Sequence, residues 1–247
     1  MRGDSGFPVR IRFAKRGKVR FISARDVARA LERAFRIEQL PLAFTEGFSP
    51  RPKVSFGLAL SVGHESEAEY LDVELREAVD TDALPERLTP ALPEGMPVTG
   101  AVRLVERAPA LQEAITEVQY RVEAVDGLGR PVPDAVLGTA SSRALACDEL
   151  LVTRTRKGKE SVDDLRPALR DIEVGHDGEV PVLELTLLTQ SRGARPREVL
   201  DALDSFVGVG LTEHRVLRTS QWIERGGARL EPLAADAFAH ALEARAS

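Results

Sequence analysis

Residues 23–53 read SARDVARALERAFRIEQLPLAFTEGFSPRPK and contain one helix feeding one stiff loop. Ser23 followed three residues later by Asp26 has the form of a capping box, in which hydroxyl and carboxylate each accept an orphan amide of the first turn. From there Val27, Ala30, Leu31, Ala34 and Phe35 recur at spacings of three and four, the pattern of one buried helical stripe. Arg25, Arg29, Arg33 and Arg36 fall together on the nearly opposite side of the wheel. Pro41 closes the helix by denying the residue before it the α region. Gly47 then offers a position open to positive φ, while Pro50 and Pro52 fix two φ angles. Phe48, Ser49, Arg51 and Lys53 are therefore presented by a segment with little entropy left to lose. Phe48 reads either as core or as an exposed stacking group, and the arginine row either as a solvated face or as an anion site.

Working outward, charge is distributed unevenly. The 247-residue chain carries net −5, yet up to Lys53 it has 13 basic residues against 5 acidic ones. Cations crowd one end and the remainder repels anions, an arrangement that focuses a field onto a patch. Hydrophobic residues at 43% and charged ones at 30% describe a globular protein long enough for one large or two ordinary domains. No stretch reads as a membrane span or a signal peptide, and the single Cys147 leaves no internal disulfide, so a cytoplasmic address is expected.

Before the helix, Val9, Ile11 and Phe13 alternate with Arg10 and Arg12, a half-buried strand with a charged outer face. A basic turn carrying Lys15, Arg16 and Lys18 leads through Arg20 to the cap. After the loop, 54–60 and 69–75 read as strands, 80–92 as a short acidic helix and 98–105 as a closing strand. The order β-α-β-β-α-β over 7–107 is that of a ferredoxin-like unit, whose second sheet face is free and is a common seat for RNA. A linker at 107–110 follows. Strands at 117–125, 150–155, 182–189 and 214–223, with helices around 141–149 and from Pro196, make a poorer copy over 115–224. The expected fold class is therefore α+β, two tandem ferredoxin-like (βαββαβ) domains with antiparallel sheets, followed by a tail over 225–247 with helical potential.

Several chemistries find no support. His64, His176, His214 and His240 have no ligand partner at i+3 or i+4, so no metal site is expected. Gly17-Lys18 and Gly158-Lys159 lack the remainder of a phosphate loop. Glu65, Glu67, Glu69, Asp72 and Glu74 read as a solvated strand face. No catalytic residue and no cofactor are assigned.

The motifs Phe21-Ile22-Ser23-x-x-Asp26, Leu40-Pro41-Leu42-Ala43-Phe44, Gly47-Phe48-Ser49-Pro50-x-Pro52-Lys53 and Ser66-Glu67-Ala68-Glu69-Tyr70-Leu71-Asp72 resemble the radical SAM-linked family of unknown function. Val162-Asp163-Asp164-Leu165-Arg166-Pro167 adds to this in the second half. The resemblance implies a separately encoded radical SAM protein as partner and a link to RNA metabolism. Many members of the family it resembles look like Ser-His where this chain has Ser23-Ala24 and Pro-His-Pro where it has Pro50-Arg51-Pro52. A weaker similarity is to Cas6-type RNA-processing proteins. One cysteine cannot hold an iron–sulfur cluster, so radical chemistry belongs to the partner. The sequence thus points to a non-catalytic RNA-binding accessory protein. Its expected nucleic-acid-binding residues are Lys15, Arg16, Lys18, Arg20, Ser23, Arg25, Arg29, Arg33, Arg36, Phe48, Ser49, Arg51 and Lys53. A Cas6-like metal-independent endoribonuclease and a protein-docking module without nucleic acid are the alternatives.

Overall fold

The structure, a computed structural model, describes residues 6–104, 109–156, 158–190 and 193–235. The chain divides into two compact units, residues 1–115 with 222–247, and residues 116–221. It is a mixed α+β, strand-rich protein with mostly antiparallel ladders.

In the first unit, β1 (Phe7–Lys15) is followed by α1 (Ala24–Ile37), the short β2 (Val54–Phe56), β3 (Glu65–Leu75), α2 (Leu84–Leu88) and β4 (Val98–Arg103). Val73 of β3 pairs with Val9 on one side and Val54 on the other, and β4 lies outside β1. The strands thus lie in the order β4-β1-β3-β2. Alternation in β1 and β3 sends Val9, Ile11, Phe13, Leu71, Val73 and Leu75 into one core with Val27, Leu31, Ala34 and Phe35 of α1. The acidic helix expected over 80–92 is shorter, because Pro85 sits in the first turn of α2 and Pro90 turns the chain into a 3₁₀ segment.

The other face of this sheet was expected to be free, and part of it is covered. After β11 (Ala228–Leu230), residues 232–235 make a helical turn. Arg10 donates to the Pro232 carbonyl at 3.4 Å, Tyr70 bonds the Glu231 carboxylate, and a side chain at Gly100 would run into Leu233. Burial first, and Glu231 second, push the Tyr70 phenol far above its usual range. The remainder of the expected tail, and Arg107 and Ala108 of the expected linker, lie outside the described residues. After that linker, residues 111–114 form the one-turn helix α3 (Leu111–Ala114).

In the second unit come β5 (Ile115–Val125), α4 (Asp134–Ala146), β6 (Leu151–Arg156), β7 (Lys159–Asp164), β8 (Leu169–Asp177), β9 (Val180–Leu188), α5 (Pro196–Val207) and β10 (Thr212–Arg225). The strand order is β10-β5-β9-β8, and β6 with β7 forms a separate two-stranded hairpin. β7 and β8 are additions to the sequence reading. Between β7 and β8 the chain makes a 3₁₀ turn over Arg166–Ala168.

Candidate nucleic-acid interface

The N-terminus of α1 is closed by its own residues. The Ser23 hydroxyl accepts from the Asp26 amide at 3.2 Å and donates to the Asp26 carboxylate at 2.7 Å. The carboxylate accepts from the Ser23 hydroxyl, and the Ser23 backbone amide adds to its stabilisation, as in a capping box. The hydroxyl bond, foremost, and the nearby Arg29 guanidinium hold the Asp26 carboxyl below its ordinary value. The positive end of the helix already faces an internal anion, and the Ser23 hydroxyl is engaged in the cap.

The C-terminus of α1 forms a Schellman turn. The Leu40 amide bonds the Phe35 carbonyl at 2.9 Å, the Gln39 amide bonds the Arg36 carbonyl at 3.2 Å, and Gln39 has φ of 51°. The helix thus ends before Pro41, which only follows the turn.

Between these ends the arginine row is exposed, as the wheel predicts. Arg29 leans on Asp26 at 3.4 Å. Among the described residues, Arg25, Arg33 and Arg36 have no side-chain partner, and neither do exposed Lys18 and Arg51.

Other expected phosphate ligands are engaged elsewhere. Lys15 is buried at 3% exposure, its ammonium donating to the Arg20 and Ile22 carbonyls, so it shapes the turn and cannot reach a phosphate from there. Arg16 pairs with Glu67, Arg20 lies 3.8 Å from Glu65 and over the Phe21 ring, and Lys53 bonds Glu74 at 3.1 Å. The acidic strand face is therefore not merely solvated. Glu65 is itself buried and accepts the Gly17 amide, and the β3 carboxylates offset much of the cationic excess read from the sequence.

The loop is tied at its base by the Phe44–Pro52 bridge and by the Thr45 amide on the Arg51 carbonyl at 2.9 Å. Gly47 takes φ of 121°, and Phe48 at its tip is 111% exposed, which excludes the reading of Phe48 as core. Ser49 and Arg51 are exposed beside it.

The base of the loop meets the last turn of α1. A groove of about 560 Å³ runs there, with Arg36, Gln39, Phe44, Pro50, Pro52 and Arg76 in its walls. The basic turn over 15–20 is at the other end of a helix that is roughly 20 Å long at about 1.5 Å per residue. Arg36 and the loop base are brought together, whereas Lys18 and Arg20 stand apart from them. Arg76, Phe44 and Gln39 were not among the sequence-predicted residues. Arg76 is placed by its amide on the Pro41 carbonyl at 2.7 Å, a contact between residues 35 apart in the chain with no local signal. Among the described residues no group of His, Cys, Asp or Glu is arranged to hold a metal ion, and no helix is long and apolar enough to cross a membrane.

These features define a strand-rich α+β protein with a cationic helix face beside a preformed groove. The chain belongs to the family described as "Uncharacterized protein conserved in bacteria (DUF2344)", which matches residues 9–196. No curated protein matches it. Among solved structures it is similar to a Cbf5-Nop10-Gar1 complex, with TM-score 0.48, 13% identity and coverage of 88% of this chain and 50% of that one. An archaeal box H/ACA sRNP Nop10-Cbf5 complex gives 0.44, 12%, 87% and 48%. An H/ACA RNP bound to a substrate RNA containing 2'-deoxyuridine gives 0.45, 14%, 92% and 54%. The chain spans about half the length of these chains. They are H/ACA complexes, not Cas6-type proteins.

Proposed function

We propose that the protein is a non-catalytic RNA-binding accessory protein that works beside a separate radical SAM enzyme in RNA modification or processing. The observation that carries this reading is the set of exposed guanidinium groups at Arg25, Arg33 and Arg36, with Arg51 on the adjoining loop, that have no side-chain partner among the described residues. Guanidinium forks match phosphate oxygens in two-point contacts, and groups already unpaired in the free protein need break no ion pair to make them. The exposed Phe48 supports the same reading, because a large apolar ring held out in water is suited to stacking on a base. The radical SAM partner rests on the family resemblance alone. The reading also takes each unit as a ferredoxin-like domain over 7–107 and 115–224, with the matching orders β4-β1-β3-β2 and β10-β5-β9-β8 in its support.

The test is the double variant Arg33→Glu with Arg36→Glu. It should lose retention of structured RNA on a filter while its folding stability stays within about 1 kcal/mol, as surface changes usually allow. Undiminished retention by a folded double variant would end the proposal. Gel filtration with the radical SAM enzyme before and after nuclease treatment separates RNA-bridged association from direct docking.

A further inference from the structure

The groove at the end of α1 has walls of two kinds. Leu42 lies buried in it, and Pro41 and Pro52 are half-buried. Phe44 is 47% exposed and stands on the loop side. Arg36 and Arg76 are exposed cations that, among the described residues, have no side-chain partner. Glu32 is the one carboxylate in the lining.

The backbone around the groove is pinned. The Schellman turn fixes Gln39 and Leu40, the Ala43 amide bonds the Glu74 carbonyl at 2.8 Å, and the Lys53 amide bonds the Ala43 carbonyl at 2.9 Å. With three prolines in the lining, little conformational freedom remains to be lost on binding. A volume of about 560 Å³ is in the range of small-ligand sites.

We infer that this groove holds one unpaired nucleotide of a bound RNA, its base against Phe44 and the prolines and its phosphate on Arg36 and Arg76. The inference rests on the RNA-binding reading and names a subsite within it. Charge complementarity selects the occupant. Two guanidinium forks against a single carboxylate favour an anion, and the adjoining aromatic and proline surface favours a flat apolar body joined to it. A nucleotide combines both. A base paired in a duplex would not be free to enter, so the site distinguishes unpaired RNA from helical RNA.

The probe is a single-stranded RNA pentanucleotide with 2-aminopurine at its centre, added to the full chain and followed by fluorescence and by filter retention. Stacking in the groove should quench the emission several-fold. Phe44→Ala should restore it and Phe44→Tyr should not, with thermal melting confirming that both variants are folded. Arg76→Glu should weaken pentanucleotide binding tenfold or more. Full emission from a pentanucleotide that is nonetheless retained overturns the subsite and leaves the RNA-binding reading standing. Absence of retention of both the pentanucleotide and structured RNA overturns both. If Arg76→Glu leaves pentanucleotide binding unchanged but abolishes co-elution with the nuclease-treated radical SAM enzyme, the groove docks an acidic peptide and the subsite is overturned.

Discussion

Arg10 and Asp72 stand opposite each other on β1 and β3, Nε to Oδ1 at 2.7 Å and Nη2 to Oδ2 at 2.9 Å, with the arginine wholly buried. Two parallel charge-assisted bonds hold the guanidinium where the segment over 231–235 covers it. Removing the carboxylate takes from a buried cation the two-point partner that faces it across the ladder. Asp72→Ala should therefore lower folding stability by about 3 kcal/mol, as breaking one side of a buried pair does. Urea denaturation reads the change, and a loss under about 1 kcal/mol would show that water reaches Arg10.

The cap of α1 gives a prediction in pH. Ser23→Ala should cost about 1 kcal/mol, the usual worth of an N-cap hydroxyl. Because the hydroxyl is the largest cause of the lowered Asp26 value, the same change should move the Asp26 carboxyl back up toward 3.8. The sign follows from the direction. A carboxyl with a depressed folded value stabilises the fold fully above its unfolded value and loses that contribution as pH falls through the folded value. The Ser23→Ala variant should thus show less acid-dependent loss from this site, measured by a carboxyl-carbon NMR titration beside acid unfolding.

Gln39 occupies the left-handed region at φ of 51°, at a position where glycine meets no Cβ penalty. Gln39→Gly should raise stability by roughly 0.5–1 kcal/mol, the strain relieved less the added freedom of the unfolded chain. Thermal melting checks it, and a lower melting temperature would mean that the Gln39 side chain contributes more than its backbone costs.

What was legible in the sequence was local. Ser23, the apolar stripe and the arginine row are all set by spacings of three and four within one helix, so α1 could be read without tertiary knowledge. Parts of β1, β3 and β9 alternate for the same reason, as in 9–13, 71–75 and 183–187. β8 was missed because its ladder slips between Leu169 and Asp171, which breaks the two-residue period just where it would be recognised. β7 was missed because Lys159–Asp164 is largely exposed and buries no face that could show a pattern. At the site, exposure of the arginines was readable, but their partners were not. Asp72, Glu67 and Glu74 are each more than 20 residues from the cation they neutralise, and only the antiparallel register of β1 and β2 on β3 brings them together.

That division between paired and unpaired cations predicts the salt dependence of RNA binding. Each phosphate neutralised on a single strand contributes a slope of about −0.7 in log K against log salt. If Arg25, Arg33, Arg36, Arg51 and Arg76 make the contacts, the slope should be about −3 to −4. Arg36→Gln should make it shallower by about 0.7, because it removes one contact. Lys53→Gln should change it much less, since the Lys53 ammonium already bonds Glu74 at 3.1 Å and taking a phosphate would mean giving up that carboxylate. The measurement is filter retention of one RNA across a salt series for the native chain and both variants. A larger loss of slope for Lys53→Gln than for Arg36→Gln would move the binding face from the helix row to the start of β2.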